Sequence, residues 1–101
     1  MVKRDLVVRI AKETGYPQRE VMDIVQRFLD GVTDELAAGG NIEFRNFGVF
    51  ELVTRKARIG RNPRKAEVAI EIPERVVVKF RPGKVLREKV DQLSADDIVQ
   101  S

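Results

Sequence analysis

Thr54-Arg55-Lys56-Ala57-Arg58-Ile59-Gly60-Arg61-Asn62-Pro63-Arg64-Lys65-Ala66-Glu67 is the stretch on which the fold turns. It carries seven charged side chains and three apolar ones, Ala57, Ile59 and Ala66. Strand-like segments over about 54–61 and 65–72 flank an Arg61-Asn62-Pro63 turn, where Asn tolerates unusual φ and Pro fixes its own near about −65°. Two such legs have almost nothing apolar to bury, so the hairpin they form projects into solvent as an arm. Each leg of about nine residues reaches roughly 30 Å at ~3.3 Å per residue. A compact chain of this length has a radius of gyration of only ~13 Å.

The charge around this stretch is uneven. Residues 45–65 hold seven basic side chains (Arg45, Arg55, Lys56, Arg58, Arg61, Arg64, Lys65) against Glu51, a net of +6 in a chain whose total is +3. Residues 1–44 are net −2, residues 66–90 net +2, and the tail 91–101 net −3. A positive field confined to the middle of the chain suits a polyanion. An isolated two-stranded ribbon is only marginally stable in water, so this one is expected to be ordered mainly against such a partner.

Outward from the arm, the pattern is that of ordinary globular elements. On the N-terminal side Ile42 and Phe44 alternate with Glu43 and Arg45, Asn46-Phe47-Gly48 reads as a tight turn, and Phe50 and Leu52 alternate with Glu51 and Val53. On the C-terminal side Val76, Val78 and Phe80 share one face of a further strand. Arg81-Pro82-Gly83-Lys84 is read as a turn opening a last helix that runs to about Leu93. Upstream, residues 2–14 form a short helix on Leu6, Val7, Ile10 and Ala11, stopped by Gly15. A second helix runs from Pro17, placed in its first turn, to about Ala38 before Gly39-Gly40. Its stripe of Val21, Ile24, Val25, Phe28, Leu29, Val32 and Leu36 spans about 31 Å, more than one small protomer needs. Gly31 stands mid-helix at a cost of about 1 kcal/mol against Ala, which either a close backbone approach or a tolerated weak position explains.

The composition closes several routes. At 101 residues, 43% hydrophobic and 35% charged, the chain is one globular domain. It has no cysteine and no histidine. Thiolate metal sites, thiol nucleophiles and the commonest general base are therefore absent. No apolar run approaches the ~20 residues of a membrane helix, and no secretory leader pattern opens the chain. A disulfide-free chain of this size points to a reducing compartment. Glu67, Glu71 and Glu74, the nearest acidic cluster, read as a charged strand face, so no enzyme activity, metal or cofactor is expected.

The tip carries the sharpest chemistry. A proline ending a cationic ribbon is a rigid apolar wedge of the kind pushed between base steps from the minor groove, and Arg61 beside it suits a narrow, strongly negative groove. Phe47-Gly48-Val49-Phe50-Glu51, Arg55, Arg58, Gly60-Arg61-Asn62-Pro63, Ile72-Pro73 and Phe80-Arg81-Pro82-Gly83-Lys84 follow one another in the order found in the bacterial HU/IHF family of DNA-bending, histone-like proteins, which the chain resembles over about residues 1–93.

That resemblance implies an α+β fold. Two N-terminal helices, a three-stranded antiparallel sheet with a protruding β-ribbon arm over about 54–73, and a short C-terminal helix would make an intertwined dimer, with residues 94–101 an acidic, loosely held tail. It implies a role as an architectural protein that bends and compacts double-stranded DNA, nucleoid-associated in the cytoplasm. The dimer would be a homodimer, with pairing to a paralogue left open, and there would be no membrane or small-molecule substrate. The arm contacts would be Arg55, Lys56, Arg58, Arg61, Asn62, Pro63, Arg64 and Lys65, with Pro63 intercalating. The body contacts would be Lys3, Arg45, Asn46, Lys79, Arg81, Gly83 and Lys84.

Three departures from the family pattern stand out: Lys65-Ala66 after the tip where Thr-Gly is usual, a stretch from Pro63 to Pro73 one residue longer than usual, and Asn46 in the saddle turn. The longer stretch predicts a bulge in the returning leg. Two readings compete with non-specific bending. One is a site-specific bender like integration host factor. The other is an RNA-binding module with the same arms, although the wide, shallow minor groove of A-form RNA gives a wedge little to do.

Overall fold

The computed structural model describes residues 1–62 and 65–98, with side chains described except at 58–62 and 65–71. Its α+β elements fall into two units, residues 1–38 and 39–101.

The first unit is a helix pair. α1 (Lys3–Thr14) starts where the Asp5 carboxylate accepts the Val2 N–H at 2.8 Å, and it ends on Gly15 at φ 79°. Only the lack of a Cβ makes that left-handed cap inexpensive. α2 (Gln18–Ala37) begins one residue later than the sequence suggests. Pro17 is its N-cap residue, and its carbonyl accepts the N–H groups of Glu20 and Val21, both at 3.1 Å. Val7, Ala11 and Val21 are buried between the helices, with Met22 and Val25 packed against them. Part of the stripe is uncovered: Ile24 is 66% exposed, and Phe28 and Leu29 are also open to solvent, while Val32 and Leu36 are half-buried. Among the described residues, and apart from the backbone of α2 itself, nothing comes within 4 Å of where a Cβ on Gly31 would stand.

The second unit is built on an antiparallel sheet of β1 (Ile42–Phe44), β2 (Gly48–Arg55) and β5 (Arg75–Pro82), in the order β1-β2-β5. The register sets Phe50 against Ile42 on one side and Phe80 on the other, with Leu52 opposite Val78. Side chains alternate between faces, so these residues share one apolar face. Glu51, Val53, Arg55, Arg75, Val77, Lys79 and Arg81 take the other. The Phe50 and Phe80 rings lie 4.7 Å apart, with Phe47 5.5 Å from Phe80 and Phe44 6.2 Å from Phe50. Yet Phe47 is half exposed and Val76 and Val78 more so.

Two boundaries differ from those read in sequence. Thr54 and Arg55, taken as the beginning of the arm, close β2 and pair with Val76 and Arg75. Loss of the apolar face does not stop backbone pairing, because a ladder needs N–H and C=O groups rather than hydrophobic side chains. Likewise Arg81-Pro82 is strand, paired with Val49 and Gly48, and α3 (Lys84–Asp91) begins only at Lys84. α3 also ends two residues short of Leu93, and Ser94 caps a single 3₁₀ turn (Ala95–Asp97) through its N–H to Asp97 at 2.8 Å. Val99 to Ser101 lie outside the described residues.

Between β2 and β5 the chain makes a separate two-stranded sheet, β3 (Arg58–Asn62) with β4 (Lys65–Ile72). Their register is regular from Arg58↔Ile72 to Arg61↔Ala69 and then shifts to Asn62↔Lys65. One step along β3 is thus matched by four along β4. The irregularity falls in the returning leg, where the longer sequence predicts a bulge.

Candidate nucleic-acid interface

Most of the residues singled out in sequence fall into three groups. Arg58, Arg61, Asn62 and Lys65 are backbone members of the β3–β4 ribbon, and their side chains are outside the described set. Pro63 and Arg64, including the proposed wedge, lie outside the described residues altogether.

The second group gathers where the β1–β2 turn meets the start of α3. Asn46 sits at φ 67°, the one non-glycine in the left-handed region among the described residues; Asn tolerates that geometry better than most side chains. This conformation turns the Asn46 and Phe47 carbonyls toward α3. Phe47 O accepts the Gly83 N–H at 2.7 Å and Asn46 O accepts the Leu86 N–H at 3.3 Å. A Cβ on Gly83 would stand 2.9 Å from the Asn46 carbonyl carbon, so only glycine permits this approach. Of the first-turn donors this leaves the N–H groups of Lys84 and Val85, with no acidic side chain in that turn to occupy them. Free N–H groups and the positive end of the helix dipole are a ready anion site, and Arg45 and Lys84 add charge beside it.

The third group lies on the charged face of the three-stranded sheet. Glu51 stands directly opposite Lys79, and its Oε1 accepts Arg81 Nε at 3.0 Å. The Glu51 side chain is only 22% exposed and Arg81 60%, so one of the expected body cations is held by a carboxylate. The sequence does not disclose that pairing, because Glu51 and Arg81 are brought together only by strand register. Lys3, in the helical unit, donates to Gln26 Oε1, whose amide in turn donates to Asp30 at 2.9 Å. Lys3 is thus positioned by a neutral amide rather than by a carboxylate.

Sequence reasoning also passed over Arg75. The register sets it directly across from Arg55, and both line a cavity with Lys56. Among the described residues no helix is long and apolar enough to cross a membrane.

Comparison with known proteins bears on the whole chain. The family model described as bacterial DNA-binding protein matches residues 1–91. A probable DNA-binding protein HU of Chlamydia trachomatis is 42% identical over 90% of this chain and 91% of its own length. An integration host factor subunit beta of Herminiimonas arsenicoxydans is also 42% identical and covers 99% of both chains. Among solved structures, HU in an Anabaena HU–DNA cocrystal superposes with a TM-score of 0.82 at 33% identity, over 92% of this chain and all of that one. HU from Thermotoga maritima gives 0.62 at 32% identity, covering 89% and 98%.

Proposed function

The chain belongs to the bacterial DNA-binding protein family, and from that membership we propose that it is an architectural protein that bends and compacts double-stranded DNA as a dimer. The observation that carries the reading is the β3–β4 ribbon, a self-paired strand pair whose sequence is dense in Arg and Lys and ends on Asn62-Pro63. In this function the ribbon follows the minor groove. Arg58, Arg61, Arg64 and Lys65 neutralise phosphates or enter the groove, and Pro63 wedges between base steps. The body then grips the flanking duplex through the free first-turn N–H groups of α3, with Arg45 and Lys84, and through Lys3 and Lys79.

A dimer follows from the burial. Among the described residues only Val7, Ala11 and Val21 form a buried hydrophobic core, while Ile24, Leu29, Val76 and Val78 are open to water. A lone chain of this length with so small a core is not expected to be stable, and a second copy presents the matching apolar stripe. No reaction is assigned, and the place of action is the nucleoid.

Affinity should rest on counterion release and fall steeply with salt. Selectivity should come from deformability and groove width, because the minor groove distinguishes little beyond A·T from G·C. A second reading, a site-specific bender paired with a paralogous subunit, is favoured by the full-length match to an integration host factor subunit. Fluorescence titration and energy-transfer bending assays on random, intact and pre-bent duplexes, at several salt concentrations, test both. The primary reading expects bending by the purified single chain with little sequence preference. Tight binding to one sequence only in the presence of a second subunit would transfer the conclusion to the alternative, and equal affinity for duplex RNA without bending would overturn both.

A further inference from the structure

Arg55 and Lys56, expected as arm contacts, meet a third cation, Arg75, at the root of the arm. β2 ends opposite the start of β5, and the residues in register there are Arg55 and Arg75. Like charges directly across an antiparallel pair repel each other. Neither arginine, nor Lys56 beside them, is in an ion pair among the described residues. The three cations instead line a cavity of about 240 Å³, completed by Ile72 and Pro73. Glu74 adjoins in sequence but is not part of the lining. At about 30 Å³ per water, the space admits one tetrahedral oxyanion with a few waters. Two planar guanidinium forks offer paired donors to such an anion, and an ammonium group adds a third centre of charge. Ile72 and Pro73 form the apolar wall beside the three cations.

We propose that this cavity is a seat for one backbone phosphate of the bound duplex, held jointly by Arg55 and Arg75 with Lys56 at the root of the arm. The inference rests on the DNA-binding function above and adds to it a specific contact and a role for Arg75. Bound phosphate removes the repulsion that the strand register builds in, so the pair that opposes pairing in the free protein favours it in the complex. The seat therefore couples DNA binding to closure of the junction between sheet and ribbon. A phosphodiester and free inorganic phosphate present the same oxygens. The position of the cavity where the ribbon leaves the sheet favours the duplex as its source.

The test compares the full chain with Arg55→Gln, Arg75→Gln, the double variant and Arg75→Lys in fluorescence-anisotropy titrations of a labelled duplex across salt concentrations. One neutralised phosphate contributes about 0.9 to the slope of log K against log salt, or about eightfold in affinity per decade of salt. Because the two arginines share one phosphate, the double variant should lose no more than about 0.9, each single variant part of that, and Arg75→Lys almost none. In a second arm, inorganic phosphate titrated into the free protein should shift the amide resonances of Arg55, Lys56 and Arg75, and added duplex should prevent that shift. The proposal is overturned if Arg75→Gln keeps the parent slope, or if the double variant loses about twice 0.9, the mark of two separate phosphates. It is also overturned if phosphate shifts these resonances while the DNA slope ignores the variants. Thermal unfolding like that of the parent establishes that a lost slope is not lost fold. Failure of the parent chain to bind duplex at all would instead defeat the functional reading, a result distinct from any of these.

Discussion

Gly48→Ala should be among the most damaging small substitutions in this protein. A Cβ at residue 48 would stand 2.5 Å from Cε1 and Cζ of Phe80 and 2.7 Å from the Arg81 carbonyl oxygen. Phe80 cannot simply swing aside, because its ring is held between Phe50 at 4.7 Å and Phe47 at 5.5 Å. The Arg81 carbonyl is backbone in the ladder with Val49. Relief therefore demands separation of β2 from β5 at the point where Gly48 pairs with Pro82. Overpacking of this kind costs about 1–3 kcal/mol, and disturbing an aromatic pair adds about 0.5–1.5 kcal/mol. A total of about 1.5–4.5 kcal/mol corresponds, at about 4–8 °C per kcal/mol, to a fall in Tm of about 6–36 °C. Thermal unfolding followed by circular dichroism measures it, at one fixed protein concentration because a dimer's Tm depends on concentration. Gly31→Ala is the internal control: it has open space within the chain, and a helix-interior Gly→Ala change stabilises by about 0.8–1 kcal/mol. If Gly48→Ala unfolds within a degree or two of the parent, the close-approach argument is wrong. If Gly31→Ala lowers Tm, a backbone outside this chain packs against Gly31.

Other expectations concern DNA. Pro63→Ala should reduce the bend seen by energy transfer more than it reduces affinity, and an undiminished bend would dispose of the wedge. Arg58→Ala and Arg61→Ala should each lower the salt slope by about 0.9 if each neutralises one phosphate. Glu51→Gln should strengthen duplex binding several-fold and steepen the salt dependence, because it releases Arg81 from a partner 3.0 Å away. The accompanying loss of stability should stay below about 1 kcal/mol, since Arg81 is largely exposed. Weaker DNA binding by Glu51→Gln would mean that Arg81 acts through its pairing rather than as a free cation.

The alternation of Phe50 and Leu52 with charged residues, the glycine stops at Gly15 and Gly39-Gly40, and the dense charge from Arg55 to Lys65 are local signals. Each is read from spacing and composition, because helix and strand periods and the absence of anything apolar to bury need no knowledge of distant residues. The same information told of a ribbon, a saddle strand pair and an over-long apolar helix. What it left out depends on which residues lie opposite one another. That Thr54 and Arg55 still pair, that Glu51 takes Arg81 out of the set of free cations, that Gly48 has no room for a methyl group, and that Arg55 faces Arg75 all follow from the register between β2 and β5. Strand register joins residues some twenty to thirty positions apart. A shift of one would exchange the faces and dissolve every one of these pairs. Local sequence thus decided which elements form and where the charge sits. Only the folded sheet decided which charges are spent on each other and which remain for DNA.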